Sequence, residues 1–220
     1  GIIIATPDHW HSRITIDAAK AGKHVYCEKG MTRTFDEAID VYDAIKKTGI
    51  VFQLGHQNRQ VEANEKARQI YEQNLLGPVN LVELTTNRNS TWGAWYWGIH
   101  PDGNQKTIDW ERFQMPSPNK LVWGDGKEAL ERIFRWRCWF DYGTGLSGDL
   151  LSHDFDTINQ IMDIGIPKYV SSSGGIYHYK KENYPDLIGF DRDVPDVWNA
   201  TFEYPDRDLT ILYSATLSSY

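Results

Sequence analysis

The chain has 220 residues, a formal net charge of −7 and 40% hydrophobic residues, which is enough for one large domain or two small ones and argues against disorder. The acidic balance, without any basic block, argues against a nucleic-acid partner, since phosphate neutralisation needs clustered Lys and Arg. Cys27 and Cys138 are too few for a disulfide framework, and no apolar run approaches the roughly 20 residues that span a bilayer.

Along the first 55 residues, short apolar runs alternate with helical ones. GIIIAT predicts a strand, HSRITIDAAKAG a helix stopped at Gly22, and HVYCE a second strand. Thr34 and Glu37 are spaced as a capping box for FDEAIDVYDAIKKTG, which Gly49 closes. IVFQLG is the third strand. This alternation predicts a parallel sheet with right-handed crossovers, whose ligands bind beyond the carboxyl ends of the strands. Those ends carry TPDHWH, EKG and GHQNR.

Beyond Arg59 the pattern changes. A helix is predicted over 62–76, stopping at Gly77-Pro78, and VNLVELTTNRNS alternates like a half-exposed strand. Residues 91–148 read as irregular and aromatic, with a short helical piece around IDWERF. A connection this long is usually functional. A helix over 149–163 follows, then the strands KYVSSSGGIYHY, VWNATFEY and LTILYSATL, the last two joined at PDRD. This half fits an antiparallel sheet with helices on one face.

Seven of the nine tryptophans (Trp92, Trp95, Trp97, Trp110, Trp123, Trp136, Trp139) crowd one segment. Rings with one polar edge suit the C–H faces of a sugar. They suit a core or a subunit interface equally well.

Asp149, His153 and Asp156 in DLLSHDFD stand at i, i+4 and i+7, on one helix face. A histidine between two carboxylates there has a partner to fix its tautomer and tune its pKa. Lys29 at the crest of EKG is a candidate to act on a substrate hydroxyl, against the plainer reading of a solvated turn lysine. GTGLSG matches the G-x-G-x-x-G fingerprint literally. It lacks the preceding buried strand and the acidic residue about 20 positions on, so its expected role is close backbone approach into the next helix. In TPDHWH, His9 and His11 lack a nearby third metal ligand, and a site wall is the better reading.

TPDHWH, AGKHVYCEKGMT, GHQNR, WERF and FRWRCWFDYGTGLSGDLLSHDFD, in that order, resemble the Gfo/Idh/MocA family of dinucleotide-dependent sugar oxidoreductases. The resemblance runs over essentially the whole chain. It implies an α/β protein: residues 1–58 as the C-terminal part of a Rossmann-type dinucleotide-binding domain, and 59–220 as a substrate-binding and catalytic α+β domain with a largely antiparallel open sheet. It implies catalytic roles for Lys29, Asp149 and His153, and NAD or NADP contacts from Thr6, Pro7, Trp10, His11, Glu28, Lys29 and Gln57. It places Arg59, Trp136, Arg137, Tyr142 and His153 at a sugar or glycoside, with no metal.

Where the family usually reads EKP, this chain has Gly30. The family's first strand, phosphate loop and ribose-binding acid would precede GIIIATP, and its sheet would continue past Tyr220, so a piece of a longer chain is expected. The expected reaction is hydride transfer between a nicotinamide and a sugar hydroxyl carbon. Net hydrolysis of a glycoside through transient oxidation and elimination is the alternative. A non-enzymatic relic without the phosphate loop is a third reading, opposed by the joint presence of Lys29, Asp149 and His153. The resemblance also implies a homo-oligomer formed through the C-terminal sheet, with no nucleic-acid or membrane partner. The compartment stays open between cytoplasm and, if an export signal precedes Gly1, periplasm.

Overall fold

The computed structural model describes residues 1–219; Tyr220, where the family's sheet would continue, lies outside them. Strands β1 (Ile2–Ile4), β2 (Val25–Glu28) and β3 (Phe52–Gly55) form a parallel sheet in the order β1-β2-β3. Helices α1 (His11–Lys20) and α2 (Phe35–Thr48) make the crossovers and pack on each other. The capping box of α2 forms as read: Thr34 Oγ1 accepts from the Glu37 N–H, and the Glu37 carboxylate accepts from the Thr34 N–H at 3.2 Å. Gly49 ends the helix at φ 67°, a left-handed geometry that glycine adopts without a Cβ penalty. The core here is small, centred on Ile4, Ala18, Ala19, Val25, Cys27 and Ile50.

A short helical turn at Gln57–Gln60 leads into α3 (Glu62–Glu72), which packs on a later helix. α3 is shorter than the 62–76 expected, because Asn74 (φ 55°) and Gly77 (φ 69°) turn the chain out of helical geometry. β4 (Leu81–Asn87) follows. The strand stops at Asn87, short of the Ser90 expected; residues 91–109 are irregular, as read, and α4 (Trp110–Gln114) is the IDWERF piece. α5 (Lys127–Phe134) was not anticipated. It is brief and follows Gly124 and Gly126; Ala129 and Ile133 seat it on the core, and a buried pair between Glu131 and Arg135 closes its end.

The helix expected over 149–163 divides into a π turn, Ser147–Leu151, and α6 (Ser152–Met162). β5 (Tyr169–Gly175), β6 (Val197–Tyr204) and β7 (Leu209–Thr216) complete a second sheet, ordered β4-β7-β6-β5. It is antiparallel except where β4 joins β7. Period-two alternation buries Leu209, Ile211, Tyr213 and Ala215 of β7. Phe155 of α6 meets Phe202 of β6 with ring centroids 5.1 Å apart, so the helix that carries the expected site is seated on this sheet. Among the described residues no helix is long and apolar enough to cross a membrane.

Candidate active site

The site forms where the end of β2 meets the π turn. The Lys29–Gly30 peptide is cis. His11, with no exposed surface, sets its Nδ1 and Nε2 against the carbonyl oxygens of Gly30 and Thr6 at 2.6 and 2.8 Å. It ties the turns after β1 and β2 together. From the other side, Thr144 occupies the space above Gly148: a Cβ on that residue would lie 2.2 Å from Thr144 Oγ1. The glycine-rich stretch therefore serves close packing, as its context suggested, and lets the π turn approach Gly30.

A π turn displaces the helical hydrogen-bond register, and such turns are frequent at functional sites. Here Lys29 Nζ donates both to the backbone oxygen of Asp149 at 2.7 Å and to its carboxylate at 2.5 Å. Arg137 Nε donates to the same carboxylate oxygen at 3.0 Å. Burial alone would raise the Asp149 carboxyl, but Lys29 and Arg137 outweigh it and hold the group below the usual carboxylate range. Asp149 is thus ionised and committed to two cations. The Arg137 guanidinium also stacks 4.1 Å from the Trp136 ring and 5.1 Å from that of Trp97.

His153 stands one turn further on. Its pKa is lowered, first by burial and then by Lys29 and His56, so the ring is neutral near pH 7 and able to accept a proton. Its Nδ1 is buried and has no hydrogen-bond partner among the described residues. This corrects the carboxylate–histidine–carboxylate reading of the helix face. Asp149 turns to Lys29, and Asp156 is taken by a bidentate pair with Arg59, with contacts of 2.6 to 3.0 Å. The neighbour that His153 does have is His56, at the end of β3, whose ring lies edge-on at 5.9 Å.

Lys29, Arg137, Asp149 and His153 line one cleft of about 580 Å³, together with Arg88, Trp92, Trp95 and Trp97. A larger cleft of about 730 Å³ runs along residues 105–123 and shares no residue with it. The tryptophan segment divides between both roles it suited: Trp92 is 72% exposed at the cleft, whereas Trp110 and Trp139 are buried in the core. Trp95 also holds the cleft wall, at a backbone φ of 70°, a geometry that costs about 1–3 kcal/mol and persists only when its surroundings enforce it.

Several expected site residues sit elsewhere. Tyr142 has no exposed surface and packs against His9 and Phe113 at 5.1 and 5.0 Å, so it supports the core instead of a sugar. His11 is likewise sealed and cannot touch a cofactor. Trp10 donates its indole N–H to the Phe113 carbonyl at 2.9 Å. Arg59 and Trp136 do not line the cleft; Arg59 is engaged by Asp156, and Trp136 lies beneath Arg137. Thr6, Pro7 and Glu28 remain at the strand ends, and Gln57 is exposed just past β3.

Asp8 went unnoticed just ahead of His9 and His11. It is 2% exposed, accepts from Thr144 Oγ1 at 2.7 Å, and has a raised pKa, mainly through burial. Arg88 and His56 were missed as well, since nothing in their local spacing distinguishes them. Among the described residues no group of three or more His, Cys, Asp or Glu could hold a metal ion.

The oxidoreductase family with an NAD-binding Rossmann fold, Gfo/Idh/MocA, matches residues 1–56. Levoglucosan dehydrogenase of Pseudarthrobacter phenanthrenivorans is 28% identical over 172 residues, which are 78% of this chain and 38% of that protein. The family's model thus covers the parallel-sheet part of the chain, and the chain is similar to Gfo/Idh/MocA oxidoreductases. The 2,7-anhydro-N-acetylneuraminate hydratase of Escherichia coli is 28% identical over 120 residues, 54% of this chain and 29% of that one. A solved structure of levoglucosan dehydrogenase in complex with NADH and levoglucosan superposes with a TM-score of 0.69 at 22% identity, covering 99% of this chain and 48% of that one. The chain thus shares the Gfo/Idh/MocA fold and spans about half the length of that structure.

Proposed function

We propose that the full-length protein is an NAD- or NADP-dependent oxidoreductase acting on a hydroxyl carbon of a sugar or glycoside. Residues 1–58 would be its share of the dinucleotide domain, and 59–220 the substrate and catalytic domain. The observation that carries this is the Lys29–Asp149 bond at 2.5 Å, which joins the parallel sheet to the helical half at the floor of an aromatic cleft. The strand ends fit a nicotinamide cofactor. Thr6, Glu28 and Lys29 stand at the carboxyl edge, where parallel sheets take ligands, and Thr6 Oγ1 is a buried oxygen without a partner among the described residues. When bound, the cofactor supplies the hydride acceptor or donor.

The chain's own residues supply the rest. Neutral His153 takes the proton of the substrate hydroxyl as its carbon is oxidised. Lys29, fixed by the backbone and side chain of Asp149, presents its ammonium to the developing alkoxide. Arg137 keeps the Asp149 carboxylate ionised and oriented, and Trp92 and Trp97 offer faces for the sugar ring.

Denaturing the full-length protein and identifying any released nucleotide tests the reading, together with a sugar panel, levoglucosan included, assayed for reduction of added NAD or NADP. Absence of bound nucleotide, of cofactor binding on titration and of turnover would overturn it. The likeness to an anhydro-sugar hydratase favours a second reading, transient oxidation with elimination and hydration. A bound cofactor that never exchanges would mark that reaction. Assembly through the outer face of the second sheet, as the resemblance implies, is also proposed, and sedimentation tests it.

A further inference from the structure

The charge of the cleft is unbalanced. Its lining carries the cations Lys29, Arg88 and Arg137 and, as the lone carboxylate among the described residues, Asp149. Asp149 already accepts from Lys29 and from Arg137 Nε. Its single charge therefore cannot serve all three cations, and two positive charges are left facing a site walled by tryptophan. Buried or half-buried charge of one sign is costly unless a partner neutralises it.

The two guanidinium groups are also held in place with donors to spare. Arg88 follows β4; its backbone N–H bonds the Thr216 carbonyl at 2.9 Å, and its Nη1 donates to the Gly93 carbonyl at 2.9 Å. It has no acidic partner among the described residues. Arg137 uses Nε on Asp149 and stacks on Trp136, while its terminal nitrogens carry no hydrogen bond among the described residues. A planar fork held this way matches the two oxygens of a carboxylate.

We propose that the substrate is a carboxylate-bearing sugar, a uronate or related sugar acid, whose carboxylate is taken by Arg88 and the free edge of Arg137. This rests on the sugar oxidoreductase reading and narrows its substrate class. Arg88 is thereby a specificity-determining residue and takes no part in the proton transfer.

The experiment is competition binding to the full-length protein, by calorimetry or ligand-observed NMR, with glucuronate and galacturonate against glucose and galactose, in the presence of NAD and without turnover. One uronate should bind about ten- to a hundred-fold tighter than its neutral parent, the advantage of charge-assisted hydrogen bonds. The ratio should shrink as salt is added. In R88Q the ratio should fall to near one, while R88K, which keeps the charge without the fork, should hold an intermediate value. Equal affinities in the wild type overturn the proposal, as does a ratio indifferent to salt and to R88Q. Tighter binding of glucose 6-phosphate than of either uronate would put a phosphate in the carboxylate's place and overturn it too. If neutral sugars are bound and oxidised while uronates are not, the substrate class fails and the oxidoreductase stands. If neither sugars nor cofactor bind, both fail.

Discussion

The two halves of the molecule build the site by different means. The parallel-sheet half has a small core of short side chains and leaves Ile3, Phe35 and Val51 more than 60% exposed. It contributes turns at strand ends, braced from behind by His11. The second half has a large aromatic core and contributes charged side chains from a π turn and the segment before it. One half thus offers backbone geometry and a single lysine; the other offers the electrostatics that hold it. Positioning by turns depends on what packs behind them, whereas positioning by ion pairs depends on every partner being present.

The largest effect tests that division. Lys29→Met should lower turnover of the full-length protein by about 10²–10⁴-fold, measured with whichever sugar the panel yields; a mild loss would mean that the first half is scaffold alone. Next comes the contrast within the aromatic segment. Tyr142→Ala should cost about 3–5 kcal/mol in urea unfolding, because the ring is fully buried. Trp97→Ala should move KM more than stability. The reverse pattern would return Tyr142 to the cleft.

The seam between the halves should respond to acid. Burial pushes His9 down to about 4, and its ring packs on Phe113 and Tyr142 of the second half. A folded-state pKa below the unfolded value of roughly 6.5 means that the unfolded chain binds the proton first. Stability is then fully present above pH about 6.5 and is lost as pH falls toward 4. Urea midpoints between those values should fall more steeply for the wild type than for His9→Gln; parallel curves would remove His9 from the seam. The smallest effect belongs to Thr144→Val, which strips Asp8 of its hydroxyl donor and should cost about 1 kcal/mol, with the Asp8 carboxyl titrating higher still by NMR.

What was legible in the sequence followed from local rules. The strand–helix alternation, the Thr34–Glu37 capping box and the PDRD turn depend on residues a few positions apart, and they form as read. Lys29, Asp149 and His153 do line one cleft, yet their partners differ from those the helix spacing offered. Spacing along a helix states which side chains share a face; it does not state which cation arrives from another element. Lys29 reaches Asp149 from 120 positions away, and Arg59 claims Asp156 from 97. Tyr142 and His11 show the converse: a residue beside a site in sequence can be the wall behind it. Arg88 left no local trace, because its significance lies in the acid it does not meet.

That separation of 120 positions between Lys29 and Asp149 also bears on how the protein matures. Closing so long a loop is entropically costly and comes late, after nearby contacts have formed. Neither half alone holds a working site, because Lys29 comes from one and Asp149 from the other. Competence for chemistry is therefore a report on the completed chain, and recovery of ligand binding during refolding should trail recovery of helical signal.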